Sequence, residues 1–522
     1  MREIIYIQAG NVANHIGTHF WNTQESYFTY EEGEDPIVNH DISFREGQTL
    51  KGESTFCPRL LLFDHRANFG ALSSGLYGES ENADDVAEEL TSQWNGNVVE
   101  YRQDEIPKSK YQTKLEAEEG EDVDIENQEE DEDMTGGQVR FWSDYTRVFF
   151  HPRTCQRLPD LVDYESAEGD WILGRDTFTR YDEDTDLMED AFRFFVEDCD
   201  NLQGVQITND NTTFGSFTHS FLTSFRDEFP KISSLTIPIL SSSVPGIIDF
   251  DDLKGIRKAM NDALFLRGMN DLSTLTAPIQ NPSLWKVGDW CDELKLDVQN
   301  LYHTSAIIST HIESATLPIR LKSTPDDLSS LLSALNWRGD TKFAHLSGIF
   351  PLPMSSSTSI WEKKLFDLSA SLENVDVKPR TSMFARVDVS RGINGSQKGV
   401  YDQWISDLQP VPKIVHAPAL PIPTSFPPFF ITPPPHPSPT VKLLSCLTTT
   451  SHTSALFSNY ARLVDETMRR HGDVIDRMGL EMDDVKDLRD ELRTIEDGFR
   501  EDSVEAIGIA DEEEEMGEDE EY

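Results

Sequence analysis

His15 and His19 are the first side chains in the sequence whose types and spacing could do chemistry. They stand four residues apart, so on a helix both imidazoles lie on one face and could bind a metal ion. The thirteen histidines of the chain form no HExxH motif and no other paired ligand spacing, and the further ligands that a metal needs are not apparent. We therefore expect packing or capping roles for His15 and His19.

The sequence contains no other complete catalytic or metal-binding motif. Ser241–Ser243 lies in no Gly-x-Ser-x-Gly turn, and the chain has no Walker sequence. The acidic group Asp182–Asp184 with Asp186 lacks the glycine and the terminal Glu of a calcium loop, and we expect a solvated helix start there. The five cysteines are far apart and form no CxxC pair, which argues against a disulfide framework or a zinc site and favours a reducing compartment.

The elements that must position any site begin with a strand, a tight turn and a helix. Ile4–Gln8 is a short apolar run, Ala9–Gly10 interrupts it, and from Val12 the apolar and histidine side chains recur at helical spacing. The carboxyl end of such a strand leads into a glycine turn and a helix N-terminus. Free backbone N–H groups and the helix dipole favour a phosphate at that position.

Strands and helices continue to alternate along the chain. We predict buried strands over Arg59–Phe63, Leu202–Thr208 and Ile232–Ile239, and helices over Asp186–Asp200 and Phe214–Phe229. This alternation predicts an α/β layer fold with a largely parallel sheet.

The later part of the chain differs in composition. Twelve prolines lie between Pro410 and Pro439, so this proline-rich segment must be extended and cannot join a central strand. We favour a semi-rigid connector over a docking site for a proline-reading partner. Two helices are predicted after it, one ending near His471–Gly472 and one over Met482–Phe499, and we expect their apolar stripes to face the core.

The charge of the chain is strongly negative, with 94 acidic against 45 basic side chains and a formal charge of −49. This excludes a protein that binds nucleic acid by charge. Residues 116–133 contain 12 acids and residues 511–522 contain nine, so we predict a disordered insertion over 116–137 and a disordered tail over 506–522. No presequence and no membrane-spanning run is expected, which favours a cytosolic protein with peripheral membrane contact at most.

The first 21 residues, with Met1–Ile4, Ile7–Gly10, Asn14, Ile16–Gly17 and Phe20–Trp21, resemble the opening of a tubulin. Tubulins hold the guanine nucleotide partly at this turn. The resemblance implies that Gly10, Asn11 and Asn14 are the matching positions, whereas the cysteine and glycine of the tubulin turn are replaced by Val12 and Ala13.

Further segments resemble the Misato family of divergent tubulin relatives, including its fungal members: Thr18–Glu25, Pro58–Asp64, Trp142–Tyr145, His151–Arg153 and Glu197–Gly204. The resemblance extends to about residue 325 and more weakly to about residue 500. It implies an α/β, tubulin-like fold, with a Rossmann-type parallel sheet and flanking helices, a second α+β domain and C-terminal helices. The expected divisions are a Misato segment II-like region over 1–115, the insertion 116–137, a tubulin-like domain over 138–325, a C-terminal region over 326–505 with a helical hairpin, and the tail.

The nucleotide chemistry of tubulins depends on a loop that is nearly all glycine, because only residues without Cβ let several N–H groups crowd around an anion. The corresponding stretch here, Thr208–Ser216, keeps one glycine, Gly215, while Asp210 brings a negative charge and Phe214 is bulky. The Gly-x-x-Asn-x-Asp pattern of hydrolysis has its nearest candidate in Gly268–Asp271, whose spacing is wrong, so we expect a helix end there. The hypothesis is little or no GTPase activity and no cofactor.

The resemblance implies a role in mitochondrial partitioning and mitochondrial-DNA inheritance, and the altered nucleotide residues favour a non-catalytic scaffold or bridge. It would act at the cytosolic face of the outer mitochondrial membrane and in the cytoplasm, on mitochondrial-surface or cytoskeletal proteins and not directly on nucleic acid. One alternative is a GTP-binding assembly protein with a remnant pocket at Gly10, Asn11, Asn14, Gly204, Thr208 and Gly215. Another is a folding factor for cytoskeletal proteins, with tubulin or chaperonin as partner.

Overall fold

The computed structural model describes residues 2–28, 35–48, 54–72, 106–119, 139–323, 326–354, 357–369, 382–406, 408–435 and 439–500. Eight strands occur in its N-terminal part: β1 (Glu3–Ala9), β2 (Phe44–Gln48), β3 (Ser54–Pro58), β4 (Leu60–His65), β5 (Cys155–Leu158), β6 (Leu202–Asp210), β7 (Ser233–Ile239) and β8 (Leu275–Thr276). Six of them form one sheet in the order β5-β4-β1-β6-β7-β8, in which every pair is parallel. Strands β2 and β3 form a separate antiparallel hairpin.

Strand β1 lies between β4 and β6 in the large sheet, and all seven of its side chains are buried because helices cover both faces of the sheet. Its last residue, Ala9, pairs with Phe63 of β4 on one side and with Asn209 of β6 on the other. The carboxyl ends of these three strands therefore meet at one edge of the sheet, which we call the carboxyl edge.

Fourteen α-helices are described: α1 (Asn11–Glu25), α2 (Lys110–Glu119), α3 (Tyr164–Ala167), α4 (Trp171–Thr185), α5 (Arg193–Glu197), α6 (Asn211–Glu228), α7 (Leu253–Leu272), α8 (Leu301–Thr316), α9 (Leu328–Leu335), α10 (Thr358–Lys364), α11 (Gly395–Ile405), α12 (Thr453–Arg470), α13 (Gly472–Arg477) and α14 (Met482–Gly498). Helices α1, α8 and α9 contribute to the apolar core on one face of the large sheet, and α4, α6 and α7 contribute to the core on the other. The helices thus cover both faces of a parallel sheet, which confirms the predicted α/β class.

A second sheet follows in the chain, with strands β9 (His345–Ile349), β10 (Phe366–Asp367), β11 (Met383–Arg391), β12 (Lys413–Ala417) and β15 (Leu443–Thr450), while β13 (Leu420–Pro421) and β14 (Thr440–Val441) pair only with each other. Its order is β10-β9-β15-β11-β12, and only the β11–β12 pair is parallel. Helix α8, which is buried along almost its whole length, packs on α1 and also on β9, β11 and β15. It therefore joins the two sheets.

The C-terminal helices α12 and α14 pack on each other and on α7. Their stripes face the core as predicted, since Leu456, Leu463, Val485 and Leu492 are almost fully buried. Met482, which belongs to the predicted stripe of the second helix, is instead 42% exposed because it is the first residue of α14.

Two predictions around residue 186 are wrong in detail. Asp182–Asp184 lie in the last turn of α4, and Asp186 is its left-handed C-cap with φ 50°, so the acidic group ends a helix and does not start one. The helix predicted over Asp186–Asp200 is a π-helical turn, Met188–Phe192, continued by α5 to Glu197. Asp170 supplies the N-cap of α4 twelve residues before Asp182, a signal that the acidic run obscures.

The proline-rich segment is not a connector, and this prediction is corrected. Strand β12 pairs at the edge of the second sheet, as proline content allows, but residues 420–430 pack into the core. Phe426 and Phe429 are buried, the main-chain carbonyl of Ser425 accepts from the Tyr302 hydroxyl at 2.7 Å, and its Oγ accepts from Asn22 at 2.8 Å. The segment thus lies across α1 and α8.

The two acidic tracts fall largely outside the described residues. Helix α2 extends to Glu119, so the first four residues of the predicted insertion are helical, and 120–137 and 506–522 are not described. Among the described helices, none is both long and apolar enough to cross a membrane.

Candidate nucleotide site

The turn after β1 lies at the carboxyl edge, with Gly10 as the N-cap of α1. Its φ of 103° is a conformation that side-chain-bearing residues rarely adopt, and its N–H donates to the carbonyl of Phe63 at 3.0 Å. A Cβ at Gly10 would lie 2.6 Å from Cβ of Asp210 and 3.0 Å from Cδ2 of Phe214. Two side chains of the β6–α6 junction therefore cover this turn directly.

The β6–α6 junction has no loop. Strand β6 ends at Asp210 and α6 begins at Asn211, where a phosphate-binding loop would need several free residues. Phe214, in the first turn of α6, is 3% exposed and its ring lies 5.4 Å from that of His65. The position at which a helix N-terminus could hold an anion is thus occupied by a carboxylate and a benzyl group.

Asn14 joins α1 to β4. Its Nδ2 donates to the carbonyl of Phe63 at 3.0 Å and to Oδ2 of Asp64 at 2.9 Å. Asp64 is fully buried and also accepts from Asn68 at 2.7 Å and from the Trp142 indole at 3.2 Å. Burial raises the pKa of Asp64, while the hydrogen bonds from Asn68 and Asn14 act in the opposite direction. Asn14 therefore serves an internal hydrogen-bond network.

Two further carboxyl groups are buried nearby. Burial raises the pKa of Asp210 to about 7, and the negative charges of Asp64, Glu168 and Asp262 add to this effect. Burial raises the pKa of Asp262 to about 6 as well, although Asp262 accepts from Ser241 Oγ at 2.6 Å. The electrostatics of this edge therefore oppose the binding of a phosphate.

Asp262 connects the edge to other elements. It lies on α7, accepts from Nδ2 of Asn211 at 2.6 Å and is reached by the hydroxyl of Tyr460 on α12 at 3.4 Å. Asn261 donates to the carbonyl of Asn211 at 2.8 Å. The first residue of α6 is thus held by α7, and a C-terminal helix closes the same network.

The structure does not bring all six predicted positions together. Gly10 is the N-cap of α1, and Asn11 and Asn14 lie in the first turn of that helix. Thr208 lies two residues before the end of β6, where it is buried between Gln8 of β1 and Ile237 of β7. Gly215 lies inside α6 and faces Asn211 and Asn261, where a Cβ would come within 2.5 Å of the Asn211 side chain. The absence of a side chain at Gly215 therefore lets α6 pack closely on α7.

Gly204 lies near the amino end of β6, at the edge of the sheet opposite Gly10. Six residues separate it from Asp210, which is roughly 20 Å along a strand. A Cβ there would come 2.4 Å from Leu328 of α9, so this glycine allows α9 to approach the sheet. Gly204 cannot line the same site as Gly10.

Carboxylates also cap the neighbouring helices. Asp170 accepts from the N–H of Leu173 at 3.0 Å at the start of α4, and Asp252 accepts from the N–H of Gly255 at 3.0 Å at the start of α7. A cavity lined by His65, Asp170, Thr213 and Phe214, among others, has a volume of about 20 Å³. That is room for about one water, whereas small-molecule pockets measure about 300–1,000 Å³.

The other residues singled out from the sequence have structural contacts. His15 Nδ1 lies 2.9 Å from the Tyr145 hydroxyl, and His19 Nε2 lies 3.0 Å from the carbonyl of Tyr302. Burial lowers the pKa of both histidines to about 3. Within the described ranges, no three His, Cys, Asp or Glu side chains are grouped to hold a metal, and no two of the five cysteines form a disulfide.

The Gly268–Asp271 motif lies in the last turns of α7, which confirms the predicted helix end. Asp64 and Asp262 were not among the predicted site residues. The position of Asp64 near the carboxyl end of a buried strand could have indicated it, because strand ends meet at the carboxyl edge. Asp262 lies in the middle of a helix, and no local signal distinguishes it.

Comparison with known proteins places the chain among tubulin-like proteins. Residues 2–117 match a Misato Segment II tubulin-like domain, and residues 131–321 match a Tubulin domain. Together with the parallel sheet and its glycine turn, these matches define the class.

Similar whole proteins identify the family. The chain is 33% identical to Protein DML1 of Gibberella zeae over 356 residues, 66% of this chain and 67% of that protein. It is 31% identical to Protein dml1 of Aspergillus niger over 416 residues, 78% and 79% of the two chains. Protein misato of Drosophila melanogaster is 27% identical over 355 residues, 63% and 61% of the two chains. The chain belongs to the Misato/DML1 family of tubulin-like proteins.

Proposed function

We propose that this chain is a non-catalytic tubulin-like protein that acts as a scaffold or bridge in the partitioning of mitochondria and the inheritance of mitochondrial DNA. It would act in the cytoplasm and at the cytosolic face of the outer mitochondrial membrane. Its partners would be mitochondrial-surface or cytoskeletal proteins. The formal charge of −49 argues against direct contact with nucleic acid.

One observation carries the non-catalytic part of this proposal. Asp210 and Phe214 cover Gly10 at the place where a tubulin-like fold would hold the phosphates of its nucleotide. A phosphate there would displace a buried aromatic ring and approach three buried carboxyl groups, Asp64, Asp210 and Asp262. Both changes cost free energy. Under this proposal the protein therefore binds no guanine nucleotide and needs no cofactor.

Isothermal titration of the full chain with GTP and magnesium tests this part. We expect no saturable heat and no release of phosphate above the blank, with tubulin measured in parallel as the positive control. Micromolar binding together with turnover would refute the non-catalytic proposal. Sedimentation with and without GTP then identifies the alternative, because nucleotide-dependent filaments are the property of a GTP-driven assembly protein.

Depletion of the protein, followed by imaging of mitochondria and their DNA, tests the cellular part. We expect uneven partitioning and loss of mitochondrial DNA, restored by the full chain. Rescue by chains lacking 120–137 or 506–522 separates the acidic tracts from the folded body. Normal inheritance after depletion would refute the role, and capture of chaperonin or tubulin in place of mitochondrial proteins would support a folding factor instead.

A further inference from the structure

Four large apolar side chains are exposed on segments that meet at the carboxyl edge. Val162 and Tyr164 belong to the segment around α3, Leu173 lies in the first turn of α4, and Leu253 is the first residue of α7. Val162 is fully exposed, Tyr164 is 43% exposed, and Leu173 and Leu253 are each 38% exposed. We call these four residues the apolar edge patch.

Contacts between α3 and α7 hold the patch together. Lys254 Nζ lies 2.8 Å from Oε2 of Glu165, and Arg257 donates to the main-chain carbonyl of Glu165 at 3.3 Å. Gly169 follows α3 and touches α7 so closely that a Cβ there would lie 2.9 Å from Cα of Lys258. The N–H of Gly169 also donates to the carbonyl of Thr212 at 2.8 Å. The patch is therefore a built surface supported by α6 and α7.

The patch has an acidic rim. Residues 160–170 contain five carboxylates and no lysine or arginine, and the segment 249–252 that leads into α7 adds three. Three cations of α7, Lys254, Arg257 and Lys258, lie next to them, and Arg470 of α12 lies over the ring of Phe250, so eight negative charges stand against four positive ones. Two of these cations are already engaged, since Lys254 pairs with Glu165 and Lys258 with Glu168. The rim thus has an excess of negative charge in the same segments as the exposed apolar side chains.

We propose that the apolar edge patch is a docking surface for a partner segment that carries apolar side chains flanked by lysine and arginine. Burying the four side chains supplies the hydrophobic contribution, and the rim supplies complementary charge, which governs orientation and association rate. A second copy of this chain is disfavoured as occupant because it brings another −49 charges. An anionic lipid surface is disfavoured for the same reason.

This surface lies beside the closed turn at Gly10 and does not depend on the mitochondrial role proposed above. Docking here would use the edge of the sheet for a protein contact where the fold offers no room for a ligand. Loss of peptide binding would leave the cellular proposal intact, and a normal depletion phenotype would leave this surface intact.

Fluorescence anisotropy with the full chain tests the docking surface. The probe is a short fluorescein-labelled peptide of leucine and lysine at helical spacing, at physiological salt. We expect saturable binding that weakens about tenfold or more in the double variant Val162→Ser with Leu173→Ser, because two apolar contacts are lost. The matched control, Val287→Ser with Met354→Ser, removes two side chains that are 70% and 83% exposed elsewhere and should bind like the parent chain.

Several results would overturn the proposal. They are the absence of binding, an equal loss in the control variant, or equal binding of a leucine–glutamate peptide of the same spacing. Sedimentation of the chain alone tests the remaining possible occupant, which is a second copy of the chain. A concentration-dependent dimer that the Val162→Ser and Leu173→Ser variant abolishes would assign the patch to a second copy and contradict a basic partner.

Discussion

Asp210 lies directly against Gly10, so closely that a Cβ on the glycine would come 2.6 Å from Cβ of the aspartate. The two residues are neighbours because β1 and β6 are adjacent parallel strands whose last residues, Ala9 and Asn209, are paired. In a tubulin-like fold this is the place of the nucleotide phosphates, and here one strand end covers the other. The contact therefore relates the sequence of the β6–α6 junction to the proposed absence of a nucleotide site.

Gly10→Ala should destabilise the protein by about 2–4 kcal/mol. The φ of 103° strains any residue with a side chain, and the added methyl group overlaps Asp210. Urea unfolding followed by tryptophan fluorescence measures the change. Adding Asp210→Gly should recover part of the loss, since it removes the overlap and leaves the strain. The control is Gly399→Ala on α11, where a Cβ meets nothing within 4 Å; equal losses in both variants would contradict the contact.

Asp210→Asn should make stability less dependent on pH. The folded-state pKa of Asp210 is raised to about 7, so the folded protein holds a proton that the unfolded chain releases near pH 4. The stabilising proton is fully present below about pH 4, and stability is lost as the pH rises through 7. At pH 8 the neutral asparagine should therefore be more stable than wild type by up to about 4 kcal/mol.

Thermal unfolding of wild type and Asp210→Asn at pH 5 and pH 8 measures this effect. The matched control is Asp251→Asn, which changes an exposed carboxylate near the start of α7. A variant that is no more stable than wild type at pH 8 would show that the carboxylate of Asp210 is well solvated or paired.

Phe426→Ala tests whether the proline-rich segment is part of the core. Phe426 is 7% exposed and its ring lies 5.9 Å from that of His19 and 5.4 Å from that of Phe429. Removing it should cost about 3–5 kcal/mol, as for other buried phenylalanines. Ile431→Ala, at a side chain that is 53% exposed in the same segment, should change stability by less than about 1 kcal/mol. A similar small effect of both variants in urea unfolding would indicate a loose connector.

Arg391→Met tests the contact between the second sheet and α8, the helix that joins the two sheets. Arg391 of β11 donates to Oε2 of Glu313 on α8 at 2.6 Å, Tyr27 donates to Oε1 of the same carboxylate at 2.9 Å, and both charged side chains are almost fully buried. Losing the guanidinium leaves Glu313 with Arg320 at 3.4 Å as its remaining cation, and should cost about 3–5 kcal/mol.

The double variant Glu313→Gln with Arg391→Met should lose less than Arg391→Met alone, because no underpaired charge stays buried. Arg2→Met removes an exposed pair with Asp327 and serves as the control, with an expected effect of about 1 kcal/mol or less. Chemical denaturation measures all three. A double variant that is less stable than the single one would show that Glu313 is stabilised by groups other than Arg391.

The elements around the site follow from local sequence. The apolar run before Gly10, the helical spacing after it and the later alternation predict strands and helices close to those observed, since side-chain periods of two and 3.6 act over a few residues. The sequence also shows the obstacles to a phosphate at Asp210 and Phe214. Both residues lie in Thr208–Ser216, which retains only one glycine where a phosphate-binding loop needs several. Local patterns cannot show that β6 runs into α6 without a loop.

Local sequence patterns do not predict which distant segments of the chain meet. Tyr460 reaches Asp262 across 198 positions, and Ser425 meets Asn22 across 403. Gly204 matched a family motif in sequence, yet it lies at the opposite edge of the sheet from Gly10. The sequence by itself determined the strands β1, β4, β6 and β7, the helices α1, α6, α12 and α14, the excess of acid and the family. The tertiary structure alone decided that Asp210 covers Gly10 and that the proline-rich segment is buried, because these contacts depend on burying apolar surface from distant parts of the chain.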